Sequence, residues 1–336
     1  MQREKPDETN AGDGVLKARQ PVIGLALGAG VARGWAHIGV LRELAANGIA
    51  PSIIAGASIG AVVGGCHAAG QLDGLEDLAR RMTRRGIFNL HDISLTGGGL
   101  ISGGKLRARL DEQLPGMQIE DLPTRFAAVA TEVGSGHEIW LTRGPVAKAI
   151  QASYAMPGIF EPVKFGERWL FDGALVNPIP VTVCRVLGAD LVIAVSITQN
   201  LRSRGAIVAE RPAKDSEQVD PIEELPAIAE AKGFFSGLRA PSFSLRRQFS
   251  KRVDEAPGMA QLMTDAFNIT QDRIARSRLA GDPPDAMIRV RTSNIGLFDF
   301  HRAEELIDLG RYAVGRALPE IGDLIAQASS GIPAWK

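Results

Sequence analysis

Ser58 stands in Gly56-Ala57-Ser58-Ile59-Gly60, between a short apolar stretch at Ile53 and Ile54 and a run of small residues from Ala61 to Ala69. A serine oxygen that attacks a carbonyl is best presented at a cramped turn between strand and helix, where bulky neighbours do not fit, and Gly56 and Gly60 meet that demand. In such an elbow the helix begins just beneath Ser58, and the N–H of Ile59 can point at a developing oxyanion. G-x-S-x-G strings also arise by chance, so the rest of the chain has to supply partners. A second glycine-rich loop, Gly28-Ala29-Gly30-Val31-Ala32-Arg33-Gly34, again lies between a strand-like segment and a helical one, where backbone amides can face an anion. An oxyanion hole is one reading and a dinucleotide site is the competitor. The latter expects an acid about 20 residues on, at the end of the second strand, and Ile53, Ile54 and Ala55 occupy that place. The third element, Asp172-Gly173-Ala174, follows the strand-like Arg168 to Phe171 and precedes Asn177-Pro178-Ile179-Pro180. Its carboxylate is either an ordinary turn residue or a general base.

These side chains meet only if the elements between them form a suitable scaffold. Pro21 to Leu27 reads as a strand, Trp35 to Asn47 as a helix closed by Gly48, then Ile53 and Ile54 as a strand and Ala61 to Ala69 as a helix stopped by Gly70. Two successive β-turn-α units predict a mainly parallel sheet covered on both faces, an α/β fold. Further strands are expected at Arg125 to Val133, His137 to Leu141, Arg168 to Phe171, Asp190 to Ile197 and Met287 to Val290. Helices are expected at Leu72 to Arg84, Lys105 to Gln113, Val146 to Ala152, Ile179 to Leu187, Met259 to Leu279 and His301 to Ala326. Glycines 97–99 and 103–104 punctuate a long loop. Between Gln199 and Pro257 charges, prolines and isolated aromatics replace the strand pattern, which reads as an insertion, lid-like or flexible. The expected organisation is a disordered tail over 1–20 and one domain over 21–326 that carries this insertion at 199–257.

The chain has 336 residues, with 38 Lys plus Arg balanced by 38 Asp plus Glu, so the overall charge gives no reason to expect nucleic acid as partner. No window approaches the roughly 18–20 apolar residues of a membrane span, and the polar first twenty residues lack the core of a signal peptide. Cys66 and Cys184 each lie in apolar surroundings, neither at metal-ligand spacing, which fits a reducing cytoplasm without structural zinc or disulfides. Within the insertion, 231–252 carries Lys232, Arg239, Arg246, Arg247, Lys251 and Arg252 interleaved with Phe234, Phe235, Phe243 and Phe249, and no acid. It is either a solvated loop or a patch for peripheral contact with anionic membrane.

Taken in this order, the three chemical elements resemble the patatin-like phospholipase family, in its compact bacterial branch. The likeness extends over Leu27 to Leu41 (LGAGVARGWAHIGVL), Ile54 to Gly60 (IAGASIG), Ala152 to Pro157 (ASYAMP), Trp169 to Pro180 (WLFDGALVNPIP), Gly188 to Val195 (GADLVIAV) and Ile295 to Leu309. The resemblance implies a three-layer α/β/α sandwich and a Ser-Asp dyad. Ser58 would be the nucleophile and Asp172 its base, supported by Gly173 and Ala174. Amides of the Gly28 to Gly34 loop would hold the oxyanion together with Ile59. The family's run of three glycines reads Ala29-Gly30-Val31 here, which makes Gly30 and Val31 the expected donors. Arg33 matches the family's basic position, to brace the loop or to meet a lipid phosphate.

A dyad also accommodates the scarcity of histidine. Of His37, His67, His91, His137 and His301, only His301, following Asp299, is placed late enough to stand as an alternative base. The expected reaction is cleavage of an acyl-lipid or phospholipid ester through an acyl-enzyme, with no metal and no cofactor. The alternatives are a regulatory scaffold that retains the fold, or acyl transfer to an acceptor other than water. The expected location is cytoplasmic, with peripheral membrane association if the patch is used. The sequence is silent on oligomeric state.

Overall fold

The computed structural model describes residues 20–82, 104–198 and 259–330. Residues 1–19, Gly97 to Gly99, Gly103, His91 and the expected insertion at 199–257, with its basic-aromatic stretch, lie outside the described residues.

Strands β1 (Ile23–Leu27), β2 (Ile53–Ala57), β3 (Arg125–Glu132), β7 (Leu191–Thr198) and β8 (Ala286–Arg291) form a parallel array in the order β3-β2-β1-β7-β8. β1 and β2 are buried at every position, as strands covered on both faces must be, and this is why they read as continuous apolar runs without alternation. One face packs larger side chains, including Leu25, Leu27, Ile54, Phe126, Ile193 and Ile288, into the main core. The other face is lined by Ala26, Ala55, Ala57, Ala127 and Ala194, and there the covering segment comes close enough that a Cβ on Gly24 would meet Cys184.

Helices α1 (Ala36–Ala46), α2 (Ile59–Ala68), α3 (Leu72–Arg81), α4 (Gly104–Gln113), α5 (Val146–Tyr154) and the long α8 (Ala303–Ser329) contribute to the large-residue face. The short α6 (Val181–Val186) and α7 (Met259–Gly281) cover the small-residue face. This is the expected three-layer sandwich. No helix among the described residues is long and apolar enough to cross a membrane.

The sheet is more mixed than expected. β4 (Glu138–Leu141), β5 (Val163–Phe165) and β6 (Arg168–Asp172) are antiparallel additions at the β3 end. The three-residue β5 leaves too short a pattern to be read from sequence, and it pairs with β6 as a small hairpin. β3 therefore serves three partners. Its residues 128–131 pair with β4, residues 125–129 pair with β2, and residues 130–132 pair with β6. A strand has two edges, so the overlaps place β2 and β6 end to end on the edge opposite β4. β2 runs parallel to β3 and β6 runs against it, so both end at the same point: Ala57 opposite Val129, and Asp172 opposite Ala130.

Candidate active site

That convergence is the origin of the site. Ser58 follows Ala57 directly, and its Oγ donates a hydrogen bond of 2.8 Å to Oδ2 of Asp172, 114 residues away in sequence. A serine at a helix N-terminus ordinarily turns its oxygen back onto the first helical amides. Ser58 makes no such cap, so its oxygen is left for the carboxylate. The turn is held in a costly conformation, with φ 56° and ψ −125° at Ser58. Such backbone persists only where the surroundings over-determine it. Two loops press together to do so. A Cβ at Gly60 would overlap the Leu27 carbonyl at the end of β1, and one at Gly34 would overlap the side chain of Ile59. Gly56 is equally confined by the start of α2.

Asp172 is fixed at every polar atom. Its N–H donates to the Ala155 carbonyl (2.9 Å), its carbonyl accepts from Thr131 Oγ1 (2.8 Å), and Oδ1 accepts from the Ala174 N–H (2.8 Å). Gly173 lets the chain cross directly over the Val129 carbonyl, where a Cβ would not fit. The Asp172 side chain is fully buried, and burial, opposed only in part by the hydrogen bonds from Ala174 and Ser58, pushes its carboxyl up to about 7. A carboxyl poised there can accept and return a proton near neutral pH.

The glycine loop sorts its amides. Gly28 N–H donates to Val195 O, Ala29 N–H to Pro178 O, Ala32 N–H to Leu297 O and Arg33 N–H to Gly30 O. The amides of Gly30 and Val31 make no hydrogen bond to the described residues, nor does that of Ile59 at the start of α2. Of the expected donors, the Gly28 and Arg33 amides are already bonded within the protein. The Gly28 amide is committed to β7 and is not available to an oxyanion. Gly34 lies inside the 3-10 turn Val31–Trp35, where its missing side chain makes room for Ile59. Arg33 is buried with Nε donating to the Ile295 carbonyl at 2.8 Å, so it braces the loop; burial lowers its pKa against the pull of Asp299.

Three residues that build this site were not singled out in the sequence. His37 is fully buried and bonds through Nε2 to the Gly28 carbonyl at 2.7 Å. A carbonyl only accepts, so Nε2 carries the proton, and burial keeps the ring neutral with its pKa pushed down to about 4. Thr131 holds the Asp172 carbonyl. Ser153, on α5, touches Ser58 itself. Ser153 lies in the ASYAMP stretch, but a single hydroxyl among alanines carries no spacing signal. The one proton of the Ser58 hydroxyl is directed at Asp172 and not at His301, the alternative base.

The family profile for patatin-like phospholipases matches residues 25–185, which contain both Ser58 and Asp172. An NTE family protein of Mycobacterium tuberculosis is 34% identical over 343 residues, covering 90% of this chain and 93% of that protein. The chain belongs to the patatin-like phospholipase family. It is accordingly a lipid ester hydrolase. A lysophospholipase of Emericella nidulans is 29% identical over 180 residues, 52% of this chain and 12% of that protein. Among solved structures, VipD from Legionella pneumophila superposes with a TM-score of 0.42 at 12% identity, covering 89% of this chain and 67% of that one.

One departure from a glycine-rich loop has a measurable cost. Val31 adopts φ 49°, a left-handed conformation that a β-branched residue resists. Val31→Gly is expected to raise stability by about 1 kcal/mol, the relieved strain exceeding the extra freedom glycine gains in the unfolded chain. The denaturation midpoint reads this, and ester turnover is expected to persist because the amide remains. A lower midpoint would mean that packing by the Val31 side chain outweighs its backbone strain.

Proposed function

We propose that this patatin-like phospholipase cleaves acyl-lipid esters through a Ser58-Asp172 dyad and an acyl-enzyme intermediate. The observation that carries the reading is the 2.8 Å hydrogen bond from Ser58 Oγ to a fully buried carboxylate at the meeting point of β2 and β6. As Ser58 Oγ bonds to the ester carbonyl carbon, its proton passes to Asp172 Oδ2, and the carbonyl oxygen takes up negative charge. The amides of Gly30, Val31 and Ile59 are the donors left to meet that charge, reinforced by the N-terminal dipole of α2. Collapse of the tetrahedral intermediate breaks the bond to the alcohol, which leaves with the proton held by Asp172. Water then gives a proton to Asp172 and attacks the acyl carbon. Release of the fatty acid returns the proton to Ser58 Oγ.

Lysophospholipids are the first natural substrates to test, because the relative from Emericella nidulans is a lysophospholipase. The deciding measurement is hydrolysis of a short-chain chromogenic ester and of a lysophospholipid by wild type and Ser58→Ala, with products identified. Ser58→Ala is expected to lose on the order of a thousandfold or more in turnover. Free fatty acid as the product supports hydrolysis, and an acylated alcohol would instead assign acyl transfer. Turnover by Ser58→Ala at the wild-type rate would overturn the dyad.

A further inference from the structure

Among the described residues, Ser153 is the one buried side chain that bonds to the Ser58 backbone. It occupies the penultimate position of α5, with no exposed surface, between Ala152 and Tyr154 and among the buried Ala147, Ala149 and Ile150. A helical serine that is not bonded to the preceding turn usually points to solvent, and a buried hydroxyl is costly unless it is fully partnered. Ser153 does neither of the usual things. Its Oγ donates to the Val129 carbonyl at 2.6 Å and accepts from the Ser58 N–H at 3.0 Å.

Both contacts fall at the convergence point of the fold. Val129 is the β3 residue opposite Ala57, its neighbour Ala130 is opposite Asp172, and the chain at Gly173 crosses over the same Val129 carbonyl. One hydroxyl thus joins the backbone of the nucleophile to the strand that positions the base. It also supplies the partner of the Ser58 amide. The hydroxyl takes no part in proton transfer, since its single proton is held by Val129.

The geometry points to Ser153 as the positioning residue of the dyad: by bridging the Ser58 amide and the Val129 carbonyl, it holds Ser58 Oγ within hydrogen-bond reach of Asp172. The inference rests on the dyad reading above, and it requires a group that donates and accepts at once. Alanine supplies neither function, while threonine keeps both.

Wild type, Ser153→Ala, Ser153→Thr and Ser58→Ala are compared on the short-chain ester across the pH range, alongside carbon-13 titration of the aspartate carboxyls. In Ser153→Ala, kcat is expected to fall roughly a hundredfold with KM nearly unchanged, because a small displacement of reacting atoms costs about that much. The Asp172 titration is expected to move upward, since the Ser58 hydrogen bond that lowers it is loosened. Ser153→Thr is expected to recover most of the rate. A variant with a lower melting temperature but wild-type kcat and wild-type Asp172 titration would overturn the proposal and leave Ser153 a packing residue. If Ser153→Ala does not fold, a Ser153→Thr variant that folds but keeps neither the rate nor the Asp172 titration would overturn it equally. Should Ser58→Ala remain fully active, the dyad reading fails, while the carboxyl titration still decides whether Ser153 governs the Ser58-Asp172 contact.

Discussion

Asp172→Asn is expected to lower turnover on the order of a thousandfold while making the folded protein more stable above neutral pH. The first half follows from chemistry: asparagine cannot accept the Ser58 proton, and loss of a positioned general base costs about a hundred- to ten-thousandfold. The second half follows from burial. The carboxyl lies at about 7 in the folded protein, against an ordinary value of 3.8. A raised folded-state pKa means that the native protein holds a proton which the unfolded chain has released. The stability it contributes is therefore complete below the ordinary value and is lost as pH rises through about 7. That difference corresponds to about 4 kcal/mol at most. Asparagine resembles the protonated acid, with Oδ1 able to accept from Ala174 N–H and Nδ2 facing Ser58 Oγ. The variant should match wild type near pH 4 and exceed it by a few kcal/mol near pH 9, read as the difference in denaturation midpoints at about those two values. Equal midpoints at both would show that Asp172 is ionised in the fold without penalty. Retention of turnover in a variant of confirmed sequence would remove Asp172 as the base. A gain in stability with a loss of rate is the pattern expected where a fold carries a buried charge for chemistry.

The sequence made the two ends of this arrangement legible, because a nucleophile elbow needs small residues at fixed offsets and Gly56 and Gly60 supply them locally. The parallel half of the sheet was legible for a similar reason: strands covered on both faces must be continuously apolar, as β1 and β2 are. The distance between Ser58 and Asp172 was not. It depends on β3 offering one edge to β2 over residues 125–129 and to β6 over residues 130–132, a non-local fact with no trace in either strand's own pattern. The antiparallel edge was underestimated for the same reason, since β5 has only three residues. Ser153 and Thr131 leave no trace in the pattern because one hydroxyl in an apolar run does not alter its period, although each holds a backbone atom of Ser58 or Asp172. Val31 is the converse case: a β-branched side chain disguises a left-handed loop position that a glycine would have announced.

With Asp172 as base, kcat/KM for the short-chain ester is expected to be constant above about pH 8, to be half-maximal near the Asp172 value of about 7, and to fall about tenfold for each unit below about 6. Such an acid limb has to be distinguished from unfolding, and the two buried titrating groups of the site allow that. Protonation of Asp172 strengthens the fold as pH falls through about 7. His37 acts in the opposite sense. Its folded value of about 4 lies below the ordinary 6.5, so the unfolded chain binds a proton that the buried ring refuses, and stability is lost as pH falls from 6.5 towards about 4. The windows overlap and the signs oppose, so the native protein should persist through the interval in which the rate declines. The loss of rate near pH 5 should then be immediate and fully reversed on return to about pH 8, with an unchanged circular dichroism spectrum. A rate that stays level from about pH 8 to about pH 5 would mean that the proton of Ser58 goes elsewhere. A decline that is slow and irreversible would report unfolding, to which the contact of His37 with the Gly28 carbonyl contributes.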